Sequence, residues 1–410
     1  MRSSILVFLA SAAAFIVWGS FTTQRKAKAD KKPKPVIKKS GPLRFRERLI
    51  MDKFTYPFGV GAADLDGDGD LDITAADALP NNSLYWYENK RGQFKKHWIQ
   101  KNDPQRLERH QIGDINGDGK LDVVIVKNLF GEFLWFENSG APADGKLWKR
   151  HVINKEKLPG AYDVALADFD GDGDLDVAAS TWRLSNRFVW YENDGTPANG
   201  TWKAHLIEAK VAETRMIRAA DIDGDGDMDL VGTARVQPLI VWYENTGKAK
   251  QWKKHVIDST SLQPIHGQLV DIDKDGDVDL VMALGMTFTK DLKKEQVAWY
   301  ENSGKPASGP WKKHIIATNF DGAFEAVAAD LDGDKDLDVI ATSWANRGQV
   351  VWFENQGDPK KKWSRHLIKD NWRRANQVIT ADINGDGRPD IIACAERGTL
   401  ELRLWENMGK

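Results

Sequence analysis

The chain has 410 residues, 41% of them hydrophobic, with 17 Trp and 35 Gly, which describes a folded body rich in turns and excludes a disordered chain. Its formal charge of −2 hides an asymmetry: residues 1–40 hold nine basic and one acidic residue, leaving 49 basic and 59 acidic for 41–410. A body of that sign is the wrong one for wrapping nucleic acid, and the single Cys394 excludes an internal disulfide.

Residues 1–20 combine a basic start at Arg2 with an apolar run from Ile5 to Trp18, the pattern of an export signal or an uncleaved signal anchor. The run is short for a membrane span. No Cys lies near it, so a lipoprotein anchor is excluded. Residues 21–42 form a basic, Pro-containing linker with eight Lys/Arg between Arg25 and Lys39. A secreted, periplasmic or cell-surface location follows, with the N-terminus as a possible membrane tether. The body is 43–410.

An acidic loop repeats through that body: DLDGDGDLD at 64–72, DINGDGKLD at 114–122, DFDGDGDLD at 168–176 and DIDGDGDMD at 221–229. It returns as DIDKDGDVD at 271–279, DLDGDKDLD at 330–338 and DINGDGRPD at 382–390. Seven copies at a period near fifty describe a propeller rather than a helical solenoid. A small-residue run precedes each loop and a β-branched run follows it. An aromatic run then ends in Glu-Asn, as in Trp86-Tyr87-Glu88-Asn89, and a strand such as WKRHVI at 148–153 completes the unit.

These motifs resemble the FG-GAP/VCBS repeat family, over roughly residues 43–407. The resemblance implies an all-β, seven-bladed β-propeller with four antiparallel strands per blade and calcium in the loop between the first two. The seventh unit ends at its third strand, Leu404-Trp405-Glu406-Asn407. Phe45–Ile50 has the form of the missing fourth strand, with Glu47 read in the place of His, and is expected to pair onto the last blade and close the ring.

Calcium takes six to eight hard oxygens, and the spacing D-x-D-x-D-G-x-x-D turns positions 1, 3, 5 and 9 inward by side chain and position 7 by carbonyl. The expected ligands are therefore Asp64, Asp66, Asp68 and Asp72 with Asp70; Asp114, Asn116, Asp118 and Asp122 with Lys120; and Asp168, Asp170, Asp172 and Asp176 with Asp174. Next come Asp221, Asp223, Asp225 and Asp229 with Asp227, then Asp271, Asp273, Asp275 and Asp279 with Asp277. The last two sets are Asp330, Asp332, Asp334 and Asp338 with Asp336, and Asp382, Asn384, Asp386 and Asp390 with Arg388. The side chains of Lys120 and Arg388 should stay clear of the ion. Lys335, where the other loops place Gly, should weaken the sixth site. The loops hold 31 of the 60 acidic residues, a repulsion that a structural cation relieves.

His97, His151, His205, His255, His314 and His366 recur one per blade and are expected to make a structural hydrogen bond between blades. Specific function should sit where repetition breaks, on the face opposite the Asp loops. Arg109, Asp163, His266 and Glu325 occupy one equivalent position there, with His110 beside them. Trp182, Arg183, Arg235, Trp344 and Trp372 lie on loops of the same face. Such a surface suits a carbohydrate-binding or protein-binding extracellular module. The alternative is a sugar-active enzyme, a polysaccharide lyase or sugar dehydratase, with Arg109 neutralising a carboxylate and His110 or His266 as base.

Overall fold

Small residues open each repeat and long outer ones close it, and that order becomes a radius. In the computed structural model, which describes residues 43–78, 80–199, 202–285 and 294–410, the Gly- and Ala-rich runs are the innermost strands. Pro57–Ala63, Ala161–Ala167 and Ala323–Ala329 are examples, and such strands touch their neighbours in ring order around one axis. The β-branched runs form second strands buried along their length, such as Asp122–Lys127. The aromatic runs form the third, such as Ser83–Lys90, and the Lys- and His-bearing runs the half-exposed fourth, such as Gln93–Gln100.

Seven sheets of four antiparallel strands result, an all-β seven-bladed propeller. The expected export segment 1–20 and expected linker 21–42 lie outside the described residues.

The ring closes as the sequence implied. Phe45–Met51 lies antiparallel to Glu401–Asn407, with Phe45 opposite Asn407. One detail differs. Arg48, not Glu47, stands in the place of His, opposite Leu404, as His97 stands opposite Trp86. Arg48 keeps the partner that the histidines have, reaching Glu406 at 2.6 Å. Glu47 instead pairs with Lys369 and Arg403 at 2.7 and 2.8 Å.

Each His does not bridge blades. It stacks on the third-strand Trp of its own blade, with ring centroids 4.1 Å apart for Trp135–His151 and 4.7 Å for Trp86–His97. Its Nε2 meets the Glu that follows two residues later, as for His151 and Glu137 at 2.8 Å. Strand alternation places Trp and Glu on one face, so a single imidazole serves both. The bond between blades belongs to Asn. Asn138 Nδ2 donates to Leu65 O in the preceding blade and to Leu121 O in its own, and Asn193, Asn245, Asn302 and Asn407 repeat the pattern.

Candidate functional site

The Asp loops are held open by their own backbone. Asp64 accepts N–H bonds from Gly67, Asp68 and Gly69, which folds the loop around its carboxylate. Gly69 sits at φ +95°, a conformation that favours glycine. The ninth-position Asp72 is fully buried and takes N–H bonds from Leu65 at 3.0 Å and Asn89 at 2.8 Å, fastening the loop to the third strand. Burial pushes its carboxyl up to about 7, and that of Asp176 to about 8.

Five loops gather three carboxylate oxygens within 4.8 Å: Asp64, Asp66 and Asp72; Asp168, Asp170 and Asp176; Asp221, Asp223 and Asp225; Asp271, Asp273 and Asp279; and Asp330, Asp332 and Asp334. Donor sets made of oxygen and carrying several negative charges fit a hard cation. The loops at 114–122 and 382–390 have Asn116 and Asn384 in place of one Asp. There the side chains of Lys120 and Arg388 are not free: they fold back onto the fifth-position carboxylates, Asp118 at 2.9 Å and Asp386. Lys335 is accommodated. It adopts φ +78° and donates its N–H to Asp330 at 2.9 Å, as Gly69 does to Asp64 at 3.0 Å.

On the opposite side, the channel is filled rather than open. Arg109 reaches across it to grip Glu325 with both terminal nitrogens, at 2.9 and 2.8 Å, and touches Asp163 at 3.3 Å. Arg218 completes the group at 2.7 Å from Asp163. His266 lies 4.0 Å from Asp163 and shares a hydrogen bond with the Tyr162 hydroxyl, while His110 bonds Thr74 Oγ1 at 2.7 Å. Arg109, His110 and His266 are 2, 3 and 0% exposed, so the three catalytic candidates present no surface to a substrate. Burial pushes His110 down to about 3 and His266 well below the usual range, leaving both rings neutral.

The residue one step earlier on each first strand lies farther from the Asp loop that follows it, toward the opposite face. Phe58, Tyr162, Ile265 and Phe324 therefore cover the charged group, and Tyr56, Trp182 and Trp344 pack over them, half-buried. Arginines lie over these rings. Arg183 and Arg215 stand 4.1 and 4.5 Å from the Trp182 centroid, Arg374 stands 4.0 Å from Trp344, and Arg106 and Arg397 stand 4.7 and 4.9 Å from Tyr56. Arg235 and Arg183 both bind Glu213, which they hold down to about 2 against the effect of its burial. Trp372 does not belong here. It is 1% exposed, packed edge-on against Trp405, with Nε1 bonded to Glu401.

The model of the FG-GAP-like repeat matches residues 64–125, 114–179, 168–232, 221–282 and 338–393, well over half of the chain. The chain belongs to this family. Among solved structures, the FG-GAP-like ring resembles a lectin from Agrocybe aegerita described as recognising non-reducing terminal N-acetylglucosamine. The two share 18% identity over 78% of this chain and 81% of that one, with a TM-score of 0.53. It also resembles BBS1N in complex with ARL6DN, at 12% identity over 89% of this chain and 96% of that one, with a TM-score of 0.56. At these identities the likeness is one of fold. None of the curated proteins compared matches the chain.

Sequence reasoning missed two parts of the FG-GAP-like mouth. Tyr56 sits on an entering segment that the reading passed over, and Arg215, read only as lying near the level of the channel mouth, gained no role because the position before the one compared, where Phe58, Glu108, Tyr162, Arg215, Ile265 and Phe324 differ as strongly, was not lined up. Arg374 was hidden for another reason: a stack of arginine on an aromatic ring joins residues from different blades, here Arg374 and Trp344.

Proposed function

We propose that the ring is an exported, calcium-stabilised binding module whose ligand is carbohydrate, held at the mouth around Tyr56, Trp182 and Trp344. The observation that carries this reading is the break in repetition. The Asp-loop face repeats in all seven units, whereas the opposite face gathers half-buried aromatic rings and arginines at one place. Amphipathic rings beside hydrogen-bonding groups are what a sugar needs from a protein. A lectin on the same fold supports it. Asp64, Asp66 and Asp72, and their counterparts, would hold calcium, which supplies the counter-charge the loops lack. Residues 1–20 act as the export signal or anchor in this reading.

A protein partner is the second reading, favoured by exposed Leu129, Phe130, Leu184 and Val236 on hairpins of the same face. The test is a glycan array, with uronate-containing polysaccharides and calcium present, applied to wild type, Trp182→Ala and Trp344→Ala. Saturable binding that both variants weaken supports the module. Binding that ignores both variants, or no binding, overturns the carbohydrate site. New ultraviolet absorbance from an unsaturated uronate would establish the lyase alternative.

A further inference from the structure

We propose that this mouth selects an acidic sugar residue, whose carboxylate or sulfate oxygens are seated on Arg215. The inference rests on the carbohydrate reading above and narrows it. The sequence placed Trp182 beside Arg183 as a stacking ring next to a charged group. The structure gives its ring to two guanidinium groups, those of Arg183 and Arg215, and gives Trp344 to Arg374. Aromatic rings engaged in this way act first as holders of planar cations. A neutral sugar would have to displace a guanidinium to stack, whereas an anionic one uses the cation where it lies.

Arg215 differs from its neighbours in what it lacks. Arg183 and Arg235 are both satisfied by Glu213, at 3.0 and 2.6 Å. Arg106 has its charge met by Glu108 at 2.6 Å, although its Nε, like that of Arg215, makes no aligned hydrogen bond. Arg109 and Arg218 are taken by Glu325 and Asp163 in the channel below. Arg215 has its side chain 7% exposed, and its only carboxylate within ion-pair range among the described residues is Glu213, at 3.8 Å. Its Nε finds no hydrogen-bond partner. Tyr162 and Trp182, 4.7 and 4.5 Å from the guanidinium carbon, fix the plane of the fork. A buried donor without a partner costs stability, and a guanidinium held flat by rings loses little entropy when an oxyanion arrives. Arg374 repeats the arrangement on a second ring, with Nη1 likewise buried and without a partner.

The experiment measures binding of polygalacturonate oligomers and sulfated oligosaccharides against their methyl-esterified and desulfated counterparts, with calcium present. Wild type, Arg215→Gln, Arg215→Lys and Arg374→Gln are compared, with each variant's melting temperature checking its fold. At least one acidic oligomer should bind, and its neutral counterpart should bind about tenfold more weakly or worse, the loss expected of a charged hydrogen bond. Arg215→Gln should lose a similar factor for the acidic oligomer alone, and Arg215→Lys should recover only part, since a point charge lacks the fork. Whether the carboxylate or the sulfate series binds identifies the oxyanion. If Arg215→Gln fails to fold, Arg374→Gln decides by the same criterion. Neutral counterparts binding as tightly as acidic ones, or acidic binding unchanged by the folded variants, overturns the acidic selection while the carbohydrate reading stands. No binding by either series overturns the acidic selection, and the glycan array then decides the carbohydrate reading.

Discussion

The side-chain amide of Asn138 donates to the carbonyl of Leu65 in the preceding blade at 2.8 Å, while its backbone N–H holds Asp122 at 2.7 Å. One residue thus joins its own Asp loop, its third strand and the neighbouring blade. Replacing it by Ala leaves buried carbonyls without partners and should cost about 1–3 kcal/mol. Thermal denaturation should show a clear fall in melting temperature, against a shift near zero for the exposed neighbour change Ser139→Ala. Equal melting temperatures for the two variants would remove the bridging role.

Chelation tests the loops. With the metal gone, the clustered carboxylates of Asp64, Asp66 and Asp72 and their counterparts repel one another, and the melting temperature should fall sharply. Metal analysis of the native protein should find the five three-carboxylate loops filled first. The loops at 114–122 and 382–390, where Lys120 and Arg388 already neutralise Asp118 and Asp386, should empty first as chelator is added. A melting curve unchanged after confirmed metal loss defeats the structural role.

The charged group in the channel is costly to break and easy to replace. Glu325→Ala leaves Arg109 buried without its bidentate partner and should destabilise by about 3–5 kcal/mol. The double change Arg109→Met with Glu325→Leu removes both charges and should recover most of that loss, as measured by urea denaturation. No recovery in the double variant would mean that Asp163 and Arg218 depend on the pair for their own placement.

Glu108 gives the fold a pH dependence. Burial pushes its carboxyl up to about 7, against the pull of Arg106 and Arg215. The folded state therefore binds a proton that the unfolded state releases near 4.5, so this contribution is full below that pH and is lost as pH rises through about 7. The change is on the order of 3 kcal/mol, since each tenfold gain in proton affinity is worth about 1.4 kcal/mol. Glu108→Gln cannot ionise, so its stability relative to wild type should grow between pH 5 and pH 8. A constant difference across that range would place the charge of Glu108 in the folded state at every pH.

What the sequence revealed followed its repetition. A motif copied seven times fixes the blade, the Asp loop and the place of the missing strand, because each copy corrects the reading of the others. Arg48 shows the limit: FRERLI at 45–50 laid on FKKHWI at 94–99 puts Arg48 in the place of His97, and a slip by a single residue put Glu47 in that role. The mouth was harder to read because contacts there join blades far apart in sequence, as Tyr56 does with Arg397, or Arg109 with Glu325. Depth was harder still. Strand alternation says that Asp163 and Tyr162 face different ways, but not which of them a ligand would meet.

The closure of the ring by its first strand has a directional consequence. Arg44 donates its backbone N–H to Gly409 and accepts one from Met408, and Lys410 reaches Asp332, so both ends of the described chain leave from the Asp-loop side. Anything attached at either end, whether a bead, a bilayer or a fused domain, therefore hangs from the same rim and leaves Trp182 and Trp344 pointing away from it. A disc mounted this way has a fixed back and a free front. Immobilising it by either terminus should give the same access to the mouth.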